Sequence, residues 1–351
     1  MGECDYLNAR VRAMGSELLP NEFFEQTLGL ETDELPMDAL LASAYGPALR
    51  EALTRQAGIA AVEAALRNDL ARTFARVRGM ATSGPRGLLD TQIARWDVQN
   101  VLAVLRGIVT KAKPRDIASA LLPAGAFPEA QLTELALSPD PLSVARKLAT
   151  WNYIFAFELH NSLVDRHGLP FDLSRTERRM YEAYYRWALA LPAASASNRR
   201  IVRSLLSEQI DLANVKEALD VVKHKDAKQA PERFAPIPGG RLPARFIARL
   251  AQSATLEEAF SVLDESYFAL GIEKGILAYG ESRSLGVMER FLEELVIHAG
   301  CRLYRQDLLS ISVPIGYLWR KYNETVNLRA LCRGRSARMP SNAIRKELLL
   351  V

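Results

Sequence analysis

The sequence predicts an all-α fold, and two observations favour it. Apolar residues recur at intervals of three and four, as at Val101, Val104, Leu105 and Ile108, so that each predicted helix has one apolar face. Runs of alternating β-branched residues between turn signals, which strands require, do not occur. We therefore expect a single helical protein over residues 1–351.

Capping and turn signals mark where the predicted helices begin and end. Thr255 with Glu258, and Ser174 with Glu177, have the spacing of capping boxes, in which a hydroxyl and a carboxylate bind the free amides of a first turn. The Pro/Gly-rich stretch 236–240 predicts a break between two helices.

One short pattern recurs at nearly even spacing: an acidic residue, Asn three positions later, and then an apolar residue. The three pairs are Asp97 and Asn100, Asp211 and Asn214, and Glu324 and Asn327. The acidic residues are 114 and 113 positions apart. Residues three apart lie on one helix face, so the carboxylate and the amide of each pair project together. We expect each pair to tie its helix to a neighbouring turn or helix end.

A second pattern has a similar period. Tyr45, Tyr153 and Tyr267 each follow apolar residues at five and eight positions before them, and are 108 and 114 residues apart. We expect these tyrosines to be core residues with hydrogen-bonded hydroxyls. A proline turn also recurs, at Leu19-Pro20, Leu122-Pro123, Ile237-Pro238 and Met339-Pro340.

The agreement of these patterns predicts three copies of one helical unit. The approximate units are 1–96, 97–210 and 211–323, and a closing helical segment, 324–351, matches the opening one.

Signatures of catalysis are missing from the sequence. Gly79 and Gly84 have the spacing of a phosphate-binding loop, but Pro85 and Arg86 follow where Lys and Ser/Thr are required. The histidines show no metal-ligand spacing. A general acid with a positioning amide would need convergent partners, which the acid and Asn pairs do not show. We predict no catalytic residue, no cofactor and no metal.

The expected compartment is the cytoplasm. No segment approaches the ~18 consecutive apolar residues of a membrane-spanning helix. The first residues include Glu3 and Asp5 and lack the pattern of a secretory signal. Cys4, Cys301 and Cys332 fit neither a disulfide framework nor a zinc site.

Charge is nearly balanced, with 45 basic and 41 acidic residues and a net charge of +4. Basic residues nevertheless gather at 175–179, 199–203 and 333–338. These clusters are either solvated helix faces or surfaces that dock on acidic partners.

The assembled motifs resemble one family, the C subunits of the bacterial and archaeal V/A-type rotary ATPases, which correspond to the d subunit of the eukaryotic V-type enzyme. Residues 5–12 (DYLNARVR), followed by 18–20 (LLP), are similar to the start of that family. Residues 324–335 (ETVNLRALCRGR) are similar to its last motif, although Arg335 stands where many members have Lys. The resemblance spans essentially the whole chain.

This resemblance implies three similar helical subdomains around a pseudo-threefold axis, which form a funnel. It implies a non-catalytic central-stalk subunit, present in one copy, that couples the axle, made of the D and F subunits, to the membrane rotor ring of c, L or K subunits. The complex would translocate protons or sodium ions, and this chain would lie at the cytoplasmic face of the membrane. The resemblance implies no nucleic acid partner.

Two alternatives remain open at the level of sequence. A helical scaffold or nucleic-acid-binding protein would account for the basic clusters and predicts salt-sensitive binding to DNA or RNA. An all-α enzyme would require a site built from scattered residues.

Overall fold

The computed structural model describes residues 3–30, 34–164, 171–224, 235–267 and 269–351. Within these ranges the regular structure consists of eighteen α-helices and one 3₁₀ turn, and no strand forms. The predicted all-α class is therefore confirmed. No helix in these ranges combines the length and the apolar character that crossing a bilayer requires.

Six of the helices have 17 or more residues, and the other twelve are shorter. The first nine are α1 (Asp5–Gly15), α2 (Asn21–Gly29), α3 (Met37–Ala42), α4 (Gly46–Leu53), α5 (Gly58–Met80), α6 (Ser83–Val109), α7 (Pro114–Ala120), α8 (Glu129–Ala136) and α9 (Pro141–Thr150). The other nine are α10 (Ala156–Val164), α11 (Leu173–Leu189), α12 (Ala196–Lys223), α13 (Ala244–Gln252), α14 (Leu256–Leu263), α15 (Ala269–Ser282), α16 (Leu285–Arg302), α17 (Ser312–Ser336) and α18 (Ser341–Glu347).

Three long helices, α6, α12 and α17, carry the three acid and Asn pairs near their middles. Each packs against a second helix of at least 17 residues: α6 against α11, α12 against α16, and α17 against α5. The predicted unit boundaries at 96, 210 and 323 fall inside the three long helices. These boundaries, and the funnel with its pseudo-threefold axis, stay predictions.

The apolar core is divided into two clusters. The larger one runs through most of the chain, from Cys4 to Trp319. The smaller one joins side chains from residues 24–66 to side chains of α17 and α18, among them Leu328, Leu331 and Ile344. The earliest helices therefore pack against the last two.

Side-chain caps begin the two helices for which the sequence predicted capping boxes. Thr255 caps α14, and its hydroxyl accepts the N–H of Glu258 at 3.2 Å, as predicted. The predicted cap at Ser174 is wrong. Asp172 caps α11 instead, and its carboxylate accepts the N–H of Arg175 at 3.1 Å. Aspartate caps as well as serine does, and Asp172 directly precedes the first helical residue, Leu173.

Candidate functional site

The first acid and Asn pair binds the chain that follows α6. Asn100 donates its amide N–H to the carbonyl of Leu122 at 2.7 Å and accepts the N–H of Leu122 at 3.0 Å. Asp97 accepts the N–H groups of Ala126 at 2.8 Å and of Phe127 at 3.3 Å. We call this arrangement the first junction. It gives hydrogen-bond partners to backbone groups of a non-helical segment that would otherwise be buried without them.

The second pair makes the same arrangement after α12, and we call it the second junction. Asn214 donates to the carbonyl of Ile237 at 2.9 Å and accepts its N–H at 2.7 Å. Asp211 accepts the N–H groups of Arg241 at 2.9 Å and of Leu242 at 3.1 Å. The residue bonded to the asparagine side chain lies 22 positions after Asn100 in the first junction and 23 positions after Asn214 in the second.

The third pair, on α17, binds two segments that lie far apart in the sequence. Asn327 donates to the carbonyl of Leu349 at 2.8 Å and accepts its N–H at 2.9 Å, again with a separation of 22 residues. Glu324 accepts the N–H of Leu19, which lies 305 residues away. In this third junction the amide binds the segment after α18, whereas the carboxylate binds the segment before α2.

The three tyrosines lie beside the three carboxylates but differ in their contacts. Tyr45 is buried and donates its hydroxyl to Glu324 at 2.6 Å. Tyr267 donates to Asp211 at 2.9 Å, although 48% of it is exposed. The Tyr153 hydroxyl is buried and has no hydrogen-bond partner among the described residues. Burial raises the pKa of Tyr153, and the nearby charge of Asp97 raises it further.

The tyrosine expectations therefore hold unequally. Tyr45 is a core residue with a bonded hydroxyl, Tyr267 is not a core residue, and the Tyr153 hydroxyl has no bond to any described residue. The ring of Tyr267 contacts the guanidinium of Arg241, whose carbon lies 5.4 Å from the ring centroid. This contact at the protein surface replaces part of the packing that a core would supply.

The third junction also contains an ion cluster that the sequence did not reveal. The ammonium of Lys321 lies 3.1 Å from Glu324 and 2.9 Å from Asp69 on α5. It also lies 4.0 Å from the ring centroid of Tyr45. Burial disfavours the charged lysine, but the charges of Glu324 and Asp69 outweigh it and raise the pKa of Lys321. One signal was available, because Lys321 stands three residues before Glu324 on the same helix face.

The first two carboxylates form no ion pair with a described residue, although the charge of Arg78 acts on Asp97 and that of Arg241 acts on Asp211. Burial raises the pKa of Asp97 to about 7, and the backbone N–H groups of Ala126 and Phe127 oppose that rise. Burial likewise raises the pKa of Asp211, against the N–H bonds from Leu242 and Arg241. Each of these carboxylates faces backbone donors and a tyrosine, so the arrangement is suited to holding chain segments together.

Nothing in the junctions resembles a reaction centre. Among the residues that the structure describes, no group of three or more His, Cys, Asp and Glu side chains is placed to hold a metal ion. The carboxylates at the junctions already accept backbone N–H groups, which leaves them poorly placed to transfer protons to a substrate.

The fold and the junctions together define a class of protein: an all-helical chain in which three long helices each carry a carboxylate and amide tie. The chain belongs to the family described as ATP synthase (C/AC39) subunit, which matches residues 7–347. The resemblance noted from the sequence is thus confirmed. Membership also supports the prediction that the chain is not an enzyme, since the family is a structural subunit of its complex.

Similar proteins cover nearly the whole chain. The C subunit of the V-type ATP synthase of Deinococcus radiodurans is 25% identical over 343 residues, which are 98% of this chain and 90% of that protein. The C subunit of the A-type ATP synthase of Archaeoglobus fulgidus is 23% identical over 99% of this chain and 96% of its own. The A-type C subunit of Haloquadratum walsbyi is 24% identical over 98% of each chain.

Proposed function

We propose that this chain is the C subunit of a V/A-type ATPase or ATP synthase, a non-catalytic component of the central stalk. The observation that carries the proposal is the family match over residues 7–347, with relatives that are C subunits along nearly their full length. In this role the chain is part of the rotor and is present in one copy per complex.

The finer role is that of a socket between the axle, made of the D and F subunits, and the membrane ring of c, L or K subunits. Three similar junctions on three long helices support the socket role, because a helical unit repeated three times can offer three comparable surfaces to a symmetric ring. Torque must pass through the subunit without shearing it. Hydrogen-bonded ties between each long helix and a separate segment resist such shear better than apolar contact alone, since hydrogen bonds are directional.

The third junction supports the same role. It binds Leu19 and Leu349 to a single helix, α17, so that the early and late segments cannot separate without breaking partly buried hydrogen bonds. A closed funnel around the axle would require this kind of closure. The subunit would lie at the cytoplasmic face of the membrane and meet the bilayer only through the ring.

Reconstitution tests the proposal. Membrane vesicles that hold the ring and its stator are combined with soluble ATPase that lacks this chain, and ATP hydrolysis and ion uptake are measured with and without the purified chain. We expect hydrolysis by the soluble part in both cases and proton or sodium uptake only when the chain is added. The variant Asn327→Ala, which loses the tie to Leu349, should support less uptake.

A control separates coupling from general stabilisation. Arg10→Ala changes an exposed residue of α1 and should restore uptake as the unmodified chain does. Ion uptake without the chain, or no gain on adding it, would contradict the proposal. Salt-sensitive binding of the chain to DNA or RNA with no effect on uptake would favour the nucleic-acid alternative.

A further inference from the structure

Three arginine side chains meet where α17 packs against α5. Arg329 and Arg333 on α17 both donate to the carbonyl of Ser119, near the end of α7, and the bond from Arg333 measures 3.3 Å. Arg67 on α5 lies one helical turn after Glu63, which pairs with Arg333, and its charge lowers the pKa of Arg329. We call these three residues the arginine cluster.

The arginine cluster holds more positive than negative charge. Arg333 pairs with Glu63, and Arg67 lies 3.0 Å from Glu129. No carboxylate among the described residues bonds Arg329, and only 8% of that residue is exposed. A buried guanidinium without a counter-charge is costly, because it has left water without gaining an ion pair.

The equivalent cation of the second junction is fully compensated. Lys216 stands five residues after Asp211, as Arg329 stands five residues after Glu324. Its ammonium lies 3.1 Å from Glu289 and 3.8 Å from Glu293. The contrast shows that the fold can pair a cation at this position with two carboxylates, whereas no described carboxylate bonds Arg329 and the charge of Glu63 only partly offsets those of Arg333 and Arg67.

Two guanidinium donors in the cluster are also unused. The Nε atoms of Arg67 and Arg329 are buried and have no hydrogen-bond partner within the described part of the chain. Burial, followed by the charge of Arg333, lowers the pKa of Arg329 to about 10. The edge of the cluster is open to solvent, since 45% of the Arg333 side chain and 19% of the Arg67 side chain are exposed, whereas the two Nε atoms are buried.

We propose that the arginine cluster binds one carboxylate presented by another subunit of the complex. This inference rests on the proposed function, which places the chain among other subunits. Three guanidinium groups and two carboxylates leave one positive charge, which a single carboxylate neutralises. Guanidinium donors match the two oxygens of a carboxylate in geometry. Glu63 and Glu129 at the edge of the site would repel an extended polyanion such as nucleic acid.

Nuclear magnetic resonance on the full chain, with ¹⁵N-labelled arginine, tests the proposal. The probes are a blocked pentapeptide with one central glutamate, the same peptide with glutamine, and dimethyl phosphate. The Nε–H resonances of Arg67 and Arg329 should shift with the glutamate peptide and stay unchanged with the glutamine peptide. Shifts of equal size with dimethyl phosphate, or no shift with the glutamate peptide, would overturn the carboxylate assignment.

Variants separate a binding role from a structural one. Arg329→Gln should weaken binding of the glutamate peptide at least tenfold without lowering Tm, because it removes an uncompensated charge. Arg10→Gln, at an exposed position, should leave both quantities unchanged. A lower Tm for Arg329→Gln, together with unaltered peptide binding by Arg67→Gln, would mean that the cluster is only structural.

Failure of this inference can be told apart from failure of the proposed function. If the unmodified chain restores ion uptake but the glutamate peptide does not bind, only the carboxylate site is refuted. If uptake is never restored, the proposed function fails whatever the peptide does. If both hold, Arg329→Gln should reduce the amount of chain retained by the purified complex at least tenfold.

Discussion

The first and third junctions share one hydrogen-bond geometry but hold their carboxylates in different surroundings. Asp97 faces backbone N–H groups and has no cation within bonding distance among the described residues, so burial raises its pKa to about 7. Glu324 faces a backbone N–H, a tyrosine hydroxyl and the ammonium of Lys321. The feature that both junctions share is therefore the hydrogen bonding of the asparagine to a backbone segment. The cation that pairs with the carboxylate, Lys321, occurs in the third junction and not in the first, among the described residues.

The difference follows from where each junction finds its partners. The first junction binds residues that follow α7, 22 to 29 positions after their partners on α6, so closing it orders only that segment. The third junction joins segments 305 residues apart, and the loss of chain entropy on closing so long a loop is larger. An ion cluster in the buried third junction supplies additional stabilising contacts at the point where closure is most costly.

Removing the ion cluster should have the largest effect. Lys321→Met leaves Glu324 and Asp69 without a cation, and we expect a loss of about 3–5 kcal/mol in the free energy of unfolding. Urea titration followed by circular dichroism measures it. Lys147→Met, which removes a solvent-exposed ion pair with Glu134, is the control and should cost less than about 1 kcal/mol. Equal losses for the two variants would show that the cluster contributes no more than a surface pair.

Breaking the shared geometry should have a smaller and more uniform effect. Asn100→Ala, Asn214→Ala and Asn327→Ala each remove the acceptor of a backbone N–H, which is buried at Leu122 and Ile237 and partly buried at Leu349, and each should cost about 1–3 kcal/mol. Thermal unfolding of the three variants checks this expectation. Unchanged melting in all three would contradict a structural role for the amides.

The pH dependence of stability should report on the Asp97 carboxylate. Asp97 binds its proton more tightly when folded, at a pKa of about 7, than when unfolded, at about 4. Its protonation thus stabilises the fold fully below pH 4, and this contribution is lost as pH rises through 7. Relative to Asp97→Asn, the unmodified chain should lose about 3 kcal/mol of stability between pH 5 and pH 8.

The comparison with the Asp97→Asn variant is necessary because Asp97 is not the one group whose pKa burial raises. Burial also raises the pKa of Glu217 to about 7, so the unmodified chain has a second source of pH dependence. Subtracting the Asp97→Asn curve removes the shared contribution. Parallel curves for the two proteins between pH 5 and pH 8 would show that Asp97 is already ionised throughout.

The tyrosines offer the finest comparison of the junctions. Tyr45→Phe removes a buried hydroxyl bonded to Glu324 and should cost about 1–2 kcal/mol. Tyr153→Phe removes a hydroxyl without a partner among the described residues and should change stability by less than about 0.5 kcal/mol, or increase it. Denaturant midpoints measure both. A larger loss for Tyr153→Phe than for Tyr45→Phe would reverse the order that the hydrogen bonds imply.

Local signals in the sequence were sufficient for the helical class, since periodicity and turn chemistry act over a few residues. The acid and Asn pairs were visible for the same reason. Their partners were not, because Tyr45 and Glu324 are 279 residues apart and no local pattern links them. Asp69 was missed for that reason too, although Lys321 stood within one turn of Glu324.

The proline turns illustrate where analogy between copies fails. Leu122 and Ile237 each precede a proline and bind the junction asparagines, so by analogy Met339-Pro340 would be the third equivalent. Asn327 binds Leu349 instead, ten residues later, where no proline stands. Pro340 is instead the N-cap residue of α18, since its fixed backbone angle suits the position before a helix. The arginine cluster was likewise hidden, because it depends on the packing of α5 against α17.

The smaller apolar cluster has a consequence for the newly made protein. Phe24, Leu49 and Leu66 leave the ribosome long before Leu328 and Leu331, the side chains that cover them. At about 5–20 residues per second, the interval is on the order of tens of seconds. During that time the early helices present uncovered apolar surface. We therefore expect nascent chains that stop before residue 320 to be held by chaperones, and release to await the emergence of α17.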